Sequence, residues 1–129
     1  MNPRILSTVV NDLAGTAGVL AAIHVSPEGL VLGASPGVER DEADHWAAVM
    51  AALNPVSNHD TEIIGRHNAE PSPWGHSMIE DRSGRTLLLV GAADGSMLAA
   101  VCARTDQLGE VAFRLVQLAD DELALTEAA

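Results

Sequence analysis

The sequence predicts an α+β fold, a five-stranded antiparallel sheet with helices against its faces. Three observations lead there. Apolar residues recur at helical spacing in three stretches, and five short apolar runs between them have strand length. Glycine-bearing turns separate neighbouring runs, so consecutive strands return as hairpins.

Asn2-Pro3 places a cap and a first-turn proline ahead of Ile5, Leu6, Val9, Val10 and Leu13, a short amphipathic helix ending at Gly15. Gly18 to Ser26 is too short and too evenly apolar for a surface helix and reads as a buried strand. In Ser26-Pro27-Glu28-Gly29, proline second and glycine fourth suit a type I turn, which returns Leu30 to Ser35 as the partner strand. Acidic residues Asp41, Glu42 and Asp44 then open a middle helix, where the helix dipole favours them.

That helix is expected to run to about Leu53. Trp46, Val49 and Leu53 fall on one flank, Ala43, Ala47 and Met50 on the next, and Ala48 and Ala52 mostly opposite. So wide an apolar perimeter implies deep burial or a second covering surface. Pro55 is expected to break or kink the helix, and residues 58–74 read as an irregular loop. Gly75 to Glu80, Thr86 to Gly91 and Ser96 to Ala103 follow as a strand meander, parted by Asp81-Arg82-Ser83-Gly84 and Ala93-Asp94-Gly95. Leu108, Val111, Ala112, Leu115, Leu118 and Ala119 mark a final helix after a Thr105-Asp106 cap, and residues 120–129 form an acidic C-terminal tail.

The length of 129 residues suits one domain spanning 1–129. Against 18 acidic residues stand 7 basic ones, all Arg, for a net charge of −11. Such a chain is repelled by nucleic acid and by anionic membrane surfaces, and it has no stretch long enough for direct membrane insertion. Its 47% hydrophobic content argues against disorder. The lone Cys102 excludes an internal disulfide, and a reducing cytoplasm is the simplest location, with membrane association only through partners.

The phrases themselves carry a resemblance. Gly18-Val19-Leu20-Ala21-Ala22, Glu28 through Gly37 and Asp41 through Val49 match in order and spacing, as do Leu87-Leu88-Leu89-Val90, Gly95 through Val101 and Asp106 through Ala112. Together they resemble the roadblock/LC7 family over nearly the whole chain, most closely small actinobacterial members encoded beside Ras-like GTPases. The resemblance implies a profilin-like α/β/α sandwich with strand order 2-1-5-4-3, the middle helix on one face and the terminal helices on the other. It further implies a homodimer joined through the edge strand and the middle helix, with Ala48 and Ala52 allowing close approach. Trp46, Val49, Met50, Leu53, Trp74 and Met78 are then the expected dimer or partner interface.

A search for chemistry leaves little. His24, His45, His59, His67 and His76 show no metal-ligand spacing, and no cofactor is expected. Cys102 sits in an aliphatic strand and reads as a core residue. Gly91 to Ser96 joins two strands and lacks the lysine of a P-loop, and Ser35-Pro36-Gly37 is not a nucleophile elbow. The expected function is a non-enzymatic homodimeric adaptor that regulates a Ras-like small GTPase, as activator or scaffold. The alternatives are a small-ligand sensor module, associated with a histidine-kinase-type signalling protein, and a purely structural dimerisation module.

Overall fold

The computed structural model describes residues 3–68, 75–92, 94–104 and 107–122. In chain order the elements are α1 (Pro3–Ala14), β1 (Val19–Val25), β2 (Val31–Ala34), α2 (Arg40–Asn68), β3 (His76–Glu80), β4 (Thr86–Gly91), β5 (Met97–Cys102) and α3 (Leu108–Gln117). A π-helical turn, Leu118–Glu122, extends α3. The sheet is antiparallel with order β2-β1-β5-β4-β3, so the first and last strands lie side by side at its centre.

Alternation along the central strands divides the core into two layers. Ala22, Leu88, Val90, Leu98, Ala100 and Cys102 pack against α1 and α3 through Val9, Val10, Leu13, Val111 and Leu115. The intervening residues Ile23, Val25, Leu89, Met97 and Ala99 meet Ala43, Ala47 and Met50 of α2. The middle helix thus covers one face and the terminal helices the other.

All three hairpins turn in the same way. In the first, the Gly29 amide donates to the Ser26 carbonyl at 3.0 Å and the Ser26 amide to the Leu30 carbonyl at 2.8 Å. Asp81 with Gly84 and Ala92 with Gly95 repeat the pattern. Gly29, Gly84 and Gly95 have φ of 88°, 90° and 85°, the left-handed region in which a β-carbon is penalised. Side chains complete the turns. The Ser26 hydroxyl accepts from the Leu30 amide, and one Asp81 oxygen accepts from the Ser83 and Arg85 amides. The Ser83 hydroxyl also donates to Asp81, the leading reason its carboxyl is lowered to about 2.

The middle helix departs from expectation. It does not stop near Leu53 but runs 29 residues through Pro55 to Asn68, so residues 58–68 are helical, not irregular. Pro55 removes one helical N–H, and its exposed position leaves the freed acceptor side within reach of water. Beyond it the helix has little of its own core to face, which erases the periodicity that would have marked it. Residues 69–74, including Trp74, lie outside the described residues. So do Thr105 and Asp106; the N-cap of α3 is Gln107, without a side-chain cap bond. Of the acidic 120–129 segment, Asp120 to Glu122 belong to the π-helical turn, and 123–129 lie outside the described residues.

Candidate functional site

The exposed apolar side chains concentrate on α2 and β3. Val49, Val56 and Ile63 are exposed at seven-residue intervals along α2, with Ile64 beside them. Ala48 and Ala52 are exposed on the same helix. A seven-residue apolar repeat keeps to one side of a helix over several turns and forms a seam suited to a second helix. At about 1.5 Å per residue α2 is roughly 43 Å long, about twice the length of any strand it accompanies.

β3 is an edge strand, paired with β4 alone. Its register sets Met78 opposite Leu88 and Ile79 opposite Leu87, so these two side chains point to opposite faces. Each is at least half exposed. Between α2 and β3 lies a groove of about 330 Å³ whose walls include Leu53, Val56, Asp60 and Ile79. A second of about 340 Å³ continues across the sheet on the face that carries α2, over Ile79, Leu87 and Val101 to Leu20, with the Asp81–Arg85 ion pair at its rim. An edge strand with unpaired backbone groups, flanked by uncovered apolar rows, is built to be extended by another strand.

The six expected interface residues separate under this geometry. Val49 and Met78 are exposed, while Leu53 is half-buried and lines the groove. Trp46 is half-buried against the α2 core layer. Met50 corrects the expectation: it is 0% exposed, inserted between α2 and the chain's own sheet, and presents nothing to a partner. A helical projection places Met50 next to Val49 but does not say which flank turns inward. Val56, Ile63, Ile64 and Ile79 belong to this surface and were missed. The signal for Val56 and Ile63 was their seven-residue spacing from Val49, obscured by Pro55.

The one buried polar cluster among the described residues lies elsewhere. His24, 0% exposed, has Nε2 2.8 Å from the Ser96 hydroxyl, which donates to Asp94 at 2.5 Å. With the serine proton directed at Asp94, the imidazole donates from Nε2, and its Nδ1 is left without a partner among the described residues. Desolvation lowers the His24 pKa to about 4, against the opposing pull of Asp94. The cluster's bonds hold the β4–β5 turn to β1. Ser35 is equally structural, its hydroxyl accepting from the Ala22 amide at 2.9 Å. Cys102 is buried, with its thiol pKa raised by desolvation, which keeps it protonated and inert. No group of metal-ligating residues occurs among the described residues.

Residues 5–64 match the family model for the Roadblock/LC7 domain. Over that stretch, α1 through most of α2, the chain is similar to the roadblock/LC7 family. The fold as a whole superposes on solved structures. Gliding protein MglB from Thermus thermophilus superposes with a TM-score of 0.80 at 18% identity, covering 100% of this chain and 94% of that one. Myxococcus xanthus MglB gives 0.79 at 16% identity, over 98% and 91%. A Roadblock/LC7 domain from Streptomyces avermitilis gives 0.59 at 26% identity, over 85% and 93%. No curated protein is significantly similar in sequence. The fold is profilin-like. No helix among the described residues is long and apolar enough to cross a membrane.

Proposed function

We propose that this chain is a non-enzymatic, homodimeric adaptor or regulator of a Ras-like small GTPase. The observation that carries it is the seam of Val49, Val56 and Ile63 on α2, running beside the free edge of β3. Pairing two β3 edges antiparallel makes one sheet of the two copies, and the outer α2 flanks then meet across the two-fold axis. Burial of Val56, Ile63, Ile64, Met78 and Ile79 contributes about 1.5 kcal/mol or more for each side chain fully covered. The GTPase enters through the family resemblance, and an acidic dimer complements a basic patch on such a partner. The partner's own groups supply the hydrolysis chemistry, with the adaptor arranging them.

Light scattering tests the dimer: wild type at twice the chain mass, Val56→Asp with Ile63→Asp at the single-chain mass. GTP turnover by a Ras-like GTPase of the same genome, with and without this protein, separates the roles. Acceleration marks an activator, and nucleotide-dependent binding without acceleration marks a scaffold. Absence of binding in every nucleotide state overturns the GTPase reading.

A further inference from the structure

Phe113 is the only phenylalanine of the chain and one of three aromatic residues, yet it stands 70% exposed on α3. Its helix buries Val111 and Leu115 and leaves Phe113 as one wall of an apolar groove of about 220 Å³. Leu88 and Val90 of β4 form the floor, with Ala112 and Val116 beside Phe113 and His76 at the β3 side. This face is opposite the one that carries α2. The β3 register places His76, Met78 and Glu80 on it, all exposed, and of these His76 lines the groove.

Exposed acids stand beside the groove. Glu110 lies three residues before Phe113 on the same side of α3, and Asp120 is exposed in the π-helical turn that extends it. Glu80 closes the end of β3. None of the three forms an ion pair among the described residues, whereas Arg114, the residue after Phe113, is already held by Asp12 and Gln117. An aromatic wall over an apolar floor, with exposed carboxylates beside it on the same helix and its π-helical extension, favours apolar anchors that carry positive flanks.

We propose that the α3 groove docks a short segment of a partner protein whose apolar side chains are bordered by Lys or Arg. The site is separate from the α2 seam and does not depend on the GTPase reading. It supplies what an adaptor requires, a second surface facing away from the first.

The test uses the full chain and two labelled synthetic peptides of about 14 residues, four helical turns. One carries Leu at helical spacing with Lys elsewhere, the other the same Leu with Glu. Fluorescence anisotropy at physiological ionic strength should show binding of the Leu/Lys peptide and at least about tenfold weaker binding of the Leu/Glu peptide. Phe113→Ser, which leaves every charge in place, should weaken the Leu/Lys peptide about tenfold. Val56→Asp on α2 should leave it unchanged. Equal binding by wild type and Phe113→Ser, with the variant folded by circular dichroism, overturns the proposal, since attraction would then be charge alone. A change of light-scattering mass in Phe113→Ser also overturns it, assigning the groove to a second copy of this chain.

Discussion

His24 and Ser96, 72 residues apart in the chain, are joined by a 2.8 Å hydrogen bond in the interior of the sheet layer. The bond runs from β1 to the turn that opens β5 and ties the two central strands together where their backbone ladder ends. Burial of the imidazole opposes its protonation.

The pH dependence follows from that burial. His24 titrates near its ordinary value of 6.5 when unfolded and at about 4 when folded. Its contribution is therefore complete above about pH 6.5 and is lost as pH falls toward 4, because the unfolded state binds the proton first. The loss is on the order of 3 kcal/mol. Urea unfolding at pH 7.5 and 4.5 should show a larger decrease for wild type than for His24→Leu, which removes the titration. Equal decreases would refute the assignment.

Gly29 is held to glycine by two separate constraints. Its φ is +88°, and an added β-carbon would lie 3.1 Å from the Ala51 β-carbon of α2. Gly37, at φ +95°, has nothing within 4 Å of that position. Gly37→Ala should cost about 1 kcal/mol through backbone conformation alone. Gly29→Ala should cost roughly 2 to 3 kcal/mol, the excess arising from displacement of α2. Chemical denaturation that gives the same cost at both positions would remove the packing constraint.

Met50 and Val56 separate core from seam. Met50→Ala should destabilise each chain by about 2 to 4 kcal/mol, as cavity formation in a closed core does. Val56→Asp should change the stability of the isolated chain by no more than about 0.5 kcal/mol. The dissociation constant of the dimer, measured by sedimentation, should instead rise by about tenfold or more. A Val56→Asp chain that unfolds as readily as Met50→Ala would contradict this division.

Ser35 is a further single-atom test. Its hydroxyl is the acceptor for the buried Ala22 amide where β2 ends. Ser35→Ala leaves that N–H without a partner and should cost about 1 to 3 kcal/mol. Ser35→Thr, which keeps the oxygen, should recover part of it, and the Ala22 amide should exchange with solvent faster in the alanine variant only.

Much of the fold was legible because local chemistry sets its boundaries. Glycines at 29, 84 and 95 stand where left-handed backbone is required, and the strands between them fall where apolar runs place them, β4 at Thr86–Gly91 included. What stayed hidden depends on distant partners. Nothing near His24 announces Ser96, and nothing near Met50 says that it, not Val49, turns inward. The second half of α2 was obscured for a related reason. Val56, Ile63 and Ile64 pack on little of their own chain, so an amphipathic pattern referred to one core does not register them.

Pro55 has a consequence for motion as well as shape. The helical half before it is anchored in the core by Ala43, Ala47 and Met50, and opens only when the sheet layer does. The half after it is clamped by few buried side chains and begins at a missing hydrogen bond, so it can unwind and rewind while the rest of the molecule stays intact. Its amide protection should therefore rise with protein concentration, and that of the first half should not. One proline splits the longest element of the chain between two cooperative units, and the outer one is governed by the company the molecule keeps.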